Sequence, residues 1–243
     1  MFENWNGFNL ERFTLNGADA LIVYPKEGTA NGKWMLKTEY FGAFPDAEIK
    51  LLEKGYHLAH IQTKTRWHID SDDENKKVLC ESMHNEKGLS KKCVPVGMSC
   101  GGMQAIYFAA KYPEYVSCLY IDAPVVNLLS CPGCLGKNKS DELFAMRQQM
   151  LEQKGLTFTQ LLSYREHPLD YLDKLVSHKI PMILVSGDSD TVVDFEENGL
   201  LVKQAYEKAG IEIETYIKPG GNHHPHGLFD NTPIVEFILK HDK

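Results

Sequence analysis

Three groups of side chains in this sequence have types and spacings suited to covalent chemistry. Ser99 sits in Gly97-Met98-Ser99-Cys100-Gly101, between an apolar run and a helical pattern. A tight strand-to-helix turn of this composition is a nucleophile elbow: it lifts one hydroxyl above a sheet edge, and small flanking residues avoid clashes there. Alone, the five residues equally fit a glycine-rich turn with a capping serine. A serine hydroxyl is a poor nucleophile at neutral pH, so the elbow reading needs a base to take its proton and an acid to fix that base's tautomer. Both residue types occur downstream. Asp188, Asp190 and Asp194 follow one β-like run, and His223, His224 and His226 follow another. Together these groups suit acyl transfer through an intermediate on the serine. Three close histidines also fit a zinc site, but no second cluster with zinc spacing accompanies them, and Cys131 and Cys134 have no matching pair, so no metal is expected.

The elements that would position these groups are legible from pattern. Strands are expected at 8–15, 20–24, 33–38, 56–62, 93–98, 115–121, 180–186 and 211–217, with Asn16-Gly17-Ala18-Asp19 as hairpin punctuation between the first two. Helices are expected after Pro45, over 72–87, from the elbow to about Tyr112 (Pro113 ends it), and over 141–153, 195–208 and 233–240. Alternating strands and helices imply an α/β fold: a mostly parallel twisted sheet of about eight strands with helices on both faces. Residues 124–168 interrupt the alternation and read as a small cap insertion within a single domain, 1–243; Cys131-Pro132-Gly133-Cys134 reads as a turn on its exposed surface. In parallel sheets the strands' carboxyl ends share one edge, so a serine, an aspartate and a histidine far apart in sequence can converge there. Pro95 lies in the strand leading to the elbow and removes a ladder donor, so a local break is expected.

The order and spacing of these segments resemble the α/β-hydrolase fold serine hydrolases, the esterase, lipase and peptidase superfamily, over nearly the whole chain. Gly97 to Gly101 resembles that family's elbow, Gly187-Asp188-Ser189-Asp190-Thr191-Val192-Val193 its Gly-x-x-Asp-x-x-Val acid loop, and Gly220-Gly221-Asn222-His223 its histidine loop. The resemblance implies Ser99 as nucleophile, Asp190 as acid and His223 as base. Asp122, closing the strand after the elbow helix, occupies a position that some members use for the acid and is the alternative; Asp188 more simply shapes its turn. The oxyanion donors implied are the backbone N–H of Cys100 and one from Glu39-Tyr40-Phe41-Gly42, Tyr40 before Phe41. That loop departs from the common His-Gly form. Glu39, Phe41, His224 and His226 are candidates for substrate contact, while His57, His60 and His68 are assigned to structure or pocket shape.

At 243 residues with 43% hydrophobic and 24% charged, the chain can bury a large core. A formal charge of -7 without a basic run interleaved with aromatics gives no footprint for nucleic acid. No segment approaches the ~20 apolar residues of a membrane span, and the first residues lack the pattern of a signal peptide, so no membrane and a cytoplasmic location are expected. Six scattered cysteines suit reduced thiols. The function expected is a serine hydrolase without cofactor that cleaves a carboxylic ester of a small or sugar-linked acyl group. A prolyl-oligopeptidase-like peptidase is the nearest alternative, weakened by the lack of a propeller-like segment. A catalytically inactive, hydrolase-like binding protein is the alternative from another class, and it has no need to keep all three residues.

Overall fold

The computed structural model describes residues 2–243. Among them are strands β1 (Glu3–Trp5), β2 (Phe8–Leu15), β3 (Ala18–Tyr24), β4 (Trp34–Lys37), β5 (His57–Ile61), β6 (Val94–Met98), β7 (Leu119–Asp122), β8 (Met182–Gly187) and β9 (Ile213–Lys218). They form one nine-stranded sheet in the order β1-β2-β3-β5-β4-β6-β7-β8-β9. The pairs β1/β2, β2/β3 and β3/β5 are antiparallel, and every later pair is parallel. The strand beyond the expected set is β1. It is three residues long, too short to show a period, and Asn6 and Gly7, both at positive φ, turn it back onto β2.

Alternate strand residues face opposite helical layers. Ile22, Trp34, Leu36, Ile121 and Leu184 pack with α2 (Asp70–Asn85), α3 (Cys100–Lys111), α6 (Leu172–Ser177) and α7 (Gly199–Ala209). Val23, Met35, Val96, Ile183 and Val185 pack with α1 (Asp46–Glu53) and α8 (Thr232–His241). Burying each such aliphatic side chain contributes about 1.5–3 kcal/mol, so the period-two pattern holds the register. Among the described residues no helix is long and apolar enough to cross a membrane.

Two expected elements differ in extent. Residues 115–121 divide into a 3₁₀ turn, Pro113–Tyr115, and β7. The helix expected from 195 begins at Gly199, because Asn198 is buried and its side chain accepts the N–H groups of Val126 (3.0 Å) and Asn127 (2.9 Å).

Pro95 does not interrupt β6 itself. Leu36 pairs with Pro95 in an unbroken ladder to β4. On the other side, Cys93 donates to Tyr115 and accepts from Ser117, so alternation points the missing Pro95 donor at the β7 side. There the register slips by one residue: Cys93 bridges Val116, but Val96 pairs with Tyr120. The bulge absorbs the lost hydrogen bond.

Residues 124–168 follow β7 and contain α4 (Asp141–Lys154) and α5 (Phe158–Ser163). Ser140 caps α4 by accepting the Leu143 N–H at 3.1 Å, and Gly155 ends it in the left-handed conformation. Val125, Leu128, Leu143, Met150 and Leu161 pack on Trp67, Met103 and Tyr107. Cys131 and Cys134 belong to the same apolar cluster and are buried, which corrects their reading as an exposed turn.

Candidate active site

Ser99 is the hinge between β6 and α3, with φ 55° and ψ -119°. A non-glycine residue at positive φ is strained, and here the surroundings hold it: the Ser99 N–H donates to the Asp122 carbonyl at 2.9 Å. Gly97 is required by proximity, since a Cβ there would lie 2.2 Å from the Gly101 carbonyl oxygen. The acid and histidine loops meet as closely, for a Cβ on Gly187 would lie 2.1 Å from the Gly221 oxygen. Asn222 ties them together by accepting the N–H groups of Thr191 (2.9 Å) and His223 (2.7 Å).

These loops bring Ser99, His223 and Asp190 into line. His223 Nδ1 lies 2.8 Å from Asp190 Oδ2, and His223 Nε2 lies 3.1 Å from Ser99 Oγ. An ionised carboxylate only accepts hydrogen bonds, so Nδ1 carries the imidazole proton and Nε2 is left to accept from the serine. The other Asp190 oxygen accepts the N–H groups of Val192 and Val193, each at 2.8 Å, which fixes the carboxylate plane. Asp188 instead accepts from Gly220 at 2.7 Å and shapes the turn, and Asp194 accepts from Glu197 at 3.0 Å.

Asp122 is fully buried and faces a different histidine. Its oxygens meet His226 Nδ1 at 2.9 Å and the Gly227 N–H at 2.6 Å, so it anchors the histidine loop one step away from His223. Ring centroids of His223, His224 and His226 stand 4.7 to 5.0 Å apart.

Ser99 opens into a cleft of about 430 Å³ that Tyr40, Cys100, His223, His224 and His226 also line. Two expected contacts are absent from its wall. The Glu39 carboxylate is buried, accepting from Thr63 at 2.6 Å and Gln104 at 3.5 Å. Burial pushes that carboxyl upward against the Thr63 hydrogen bond, the Lys76 charge and the Tyr40 N–H. Phe41 packs between Trp5 and His60. Tyr40 has φ 55° and its phenol lies beside Cys100 and Arg66, with burial holding its pKa far above the ordinary tyrosine value. The Cys100 thiol is pushed up to about 11, first by burial, and stays protonated beside Ser99. His57, His60 and His68 do not line the cleft: His60 bonds the Lys37 carbonyl at 2.8 Å and His68 pairs with Asp73 at 2.7 Å.

Sequence reasoning missed much of the wall. Arg66 and Trp67 come from the loop at the carboxyl end of β5, the same edge as the elbow, and that position was the available signal. Gln149 accepts from Arg66 Nη2 at 2.7 Å and from Trp67 Nε1 at 3.0 Å, tying α4 to this loop. Glu142 and Met146 face the cleft from α4, one turn apart.

Comparison with known proteins agrees with the fold. The acylaminoacyl peptidase of Pyrococcus horikoshii superposes with a TM-score of 0.71 at 14% identity, over 98% of this chain and 44% of that one. Dipeptidyl peptidase 4 of Porphyromonas gingivalis gives 0.66 at 16%, over 98% and 35%. Est1E from Butyrivibrio proteoclasticus gives 0.63 at 17%, over 100% and 98%. The chain thus spans less than half the length of these two peptidases but nearly all of Est1E, and at such identities the likeness is one of fold. No curated protein matches the sequence significantly. Residues 79–238, running from α2 through the elbow and both loops into α8, match the prolyl oligopeptidase family. With that match over most of its length, the chain belongs to the prolyl oligopeptidase family of α/β-hydrolase fold serine hydrolases.

Proposed function

We propose that the protein hydrolyses a carboxylic ester of a small acyl group through an acyl-enzyme on Ser99. The observation that carries this reading is the Ser99–His223–Asp190 line at 3.1 and 2.8 Å, opening into a cleft of about 430 Å³. His223 Nε2 takes the Ser99 proton as Oγ attacks the carbonyl carbon. The carbonyl π pair moves onto oxygen; when the tetrahedral intermediate collapses, the bond to the alcohol breaks and His223 returns the proton to it. Water repeats the sequence in the second half: His223 takes its proton, its oxygen attacks the acyl carbon, and the bond to Ser99 breaks. Asp190 holds Nδ1 and stabilises the imidazolium that forms twice.

For the oxyanion, Cys100 at the first position of α3 offers an N–H with no partner inside the helix. Tyr40 is the second donor. Its backbone N–H is the donor expected from this loop, and its phenol, beside Cys100, is a further proton it can offer. Residues 124–168 act as the cap, contributing Val125, Cys131, Glu142 and Met146 to the wall. Glu39 and Asp122 are buried and Asp188 is held in its exposed turn by Gly220, so Glu142 is the carboxylate that lines the cleft, which gives a sugar-linked substrate little acidic support. Phe44, Trp67, Met98 and Val192 favour an apolar acyl group.

Family membership favours a second reading, a serine peptidase acting on a short peptide or aminoacyl amide by the same relay. One set of measurements tests both. A fluorophosphonate probe is expected to label the wild type and not Ser99→Ala, and a panel of p-nitrophenyl esters, acetylated sugars and aminoacyl amides is expected to show highest kcat/KM on short esters. Higher kcat/KM on aminoacyl amides would replace the ester reading by the peptidase one. No labelling of folded wild type would leave the binding-protein reading instead.

A further inference from the structure

We propose that His223, His224 and His226 form a site for a zinc-class divalent metal ion whose occupation switches the hydrolase off. Ligating atoms of the three residues all lie within 4.8 Å of one another. At a Zn–N distance of about 2.0–2.1 Å, tetrahedral ligands stand roughly 3.3 Å apart, so side-chain adjustments of about an ångström within one short loop close the set. All three ligands belong to one four-residue stretch, His223-His224-Pro225-His226.

A second, independent feature is the support behind the imidazoles. His223 Nδ1 meets the buried Asp190 at 2.8 Å and His226 Nδ1 meets the buried Asp122 at 2.9 Å. A carboxylate on one ring nitrogen fixes the tautomer that presents the other as a lone pair and raises its basicity, as in carboxylate–histidine–zinc triads. The relay itself needs only one such pair. Asp122–His226 duplicates it beside the cleft, and among the described residues none hydrogen-bonds His226 Nε2. His224 is the exposed member, stacked on Phe44 at 5.3 Å, where an ion can enter from solvent. Imidazole ligands select zinc, copper or nickel over magnesium or calcium.

Inhibition follows from electron-pair arithmetic. The Nε2 lone pair that accepts the Ser99 proton is the one donated to the metal, so a loaded His223 accepts no proton and Ser99 loses its base. No oxidation state changes, and chelation restores the lone pair. The inhibitory consequence rests on the proposed role of His223, whereas metal uptake does not.

The test therefore has two readouts. Metal-free protein, prepared by dialysis against a chelator, is titrated with Co²⁺ and followed by its visible ligand-field absorption, with Zn²⁺ as competitor. In parallel, p-nitrophenyl acetate hydrolysis is followed against free Zn²⁺. We expect one ion per chain, at least tenfold inhibition at saturation that EDTA reverses, and at least tenfold weaker uptake in both His224→Ala and His226→Ala. Each variant's inhibition is measured against its own uninhibited rate. Asp122→Asn, which removes only the carboxylate behind His226, is expected to weaken uptake about 10- to 100-fold. Absence of stoichiometric uptake, or the same uptake in a His224→Ala/His226→Ala double variant, overturns the site. Uptake without any esterase activity upholds the site and counts against the proposed hydrolysis, while activity that loaded metal leaves unchanged overturns the switch.

Discussion

Two buried carboxylates serve two neighbouring histidines, and only one pair reaches the serine. Asp190 orients His223, whose Nε2 lies 3.1 Å from Ser99 Oγ; Asp122 holds His226 and the Gly227 N–H. Replacing each carboxylate by its amide separates the roles. Asp190→Asn lets His223 take the wrong tautomer and is expected to lower kcat by about 10⁴-fold, as in serine triads. Asp122→Asn is expected to cost about 1–3 kcal/mol of stability through a weakened buried hydrogen-bond pair, with a much smaller loss of rate. Steady-state kinetics and urea unfolding of the two variants check this, and a larger rate loss in Asp122→Asn would exchange the roles.

At the level of elements, the elbow is a collision avoided. β6 enters and α3 leaves so closely that the Gly97 Cα has the Gly101 backbone against it, and a Cβ on Gly102 would meet Pro124 Cβ at 2.6 Å. Opening that crossing moves Ser99 off the His223 Nε2. Gly97→Ala is accordingly expected to destabilise the protein by at least about 2 kcal/mol, the scale of overpacking in a tight core, and to lose most fluorophosphonate labelling even where it folds. Thermal melts and labelling of the purified variant check it; a variant with wild-type melting and labelling would show that the crossing has slack. Pro95, two residues earlier, is accommodated by the slipped register on the β7 side, so the expected local break lies on that edge alone and the ladder to β4 is continuous.

Across the whole molecule, several buried histidines are held neutral. Burial lowers the His60 imidazole from 6.5 to about 4, against the hydrogen bond to the Lys37 carbonyl, and it lowers His57, His68 and His167 in the same direction. Below about 6.5 the unfolded chain takes up protons that the native state does not, so the stabilisation is complete above that pH and is lost as pH falls toward 4. Each such group contributes a slope of up to about 1.4 kcal/mol per pH unit in its window. The melting temperature is expected to fall between pH 7.5 and pH 5, and to fall less in His60→Asn, which keeps a donor for the Lys37 carbonyl without titrating there. An unchanged pH difference in that variant would remove His60 from the account.

What the sequence determined by itself was what local pattern carries. Period-two apolar runs, helix stops and glycine positions specified eight of the nine strands among the described residues and the order of elbow, acid loop and histidine loop, because each depends on residues adjacent in the chain. Only the tertiary structure decided which groups share a space. Asp122 ends β7 and Asp190 lies in the loop after β8 at the same edge, and their assignment to His226 and His223 depends on how the loops cross at Gly187 and Gly221. Glu39 and Phe41 adjoin Tyr40 in sequence yet turn away from the cleft, while Arg66, Trp67, Glu142 and Met146 reach it from remote segments. Hydrophobic burial fixes the elements through local periodicity, but the wall of a cleft is made by long-range packing, which no local spacing records.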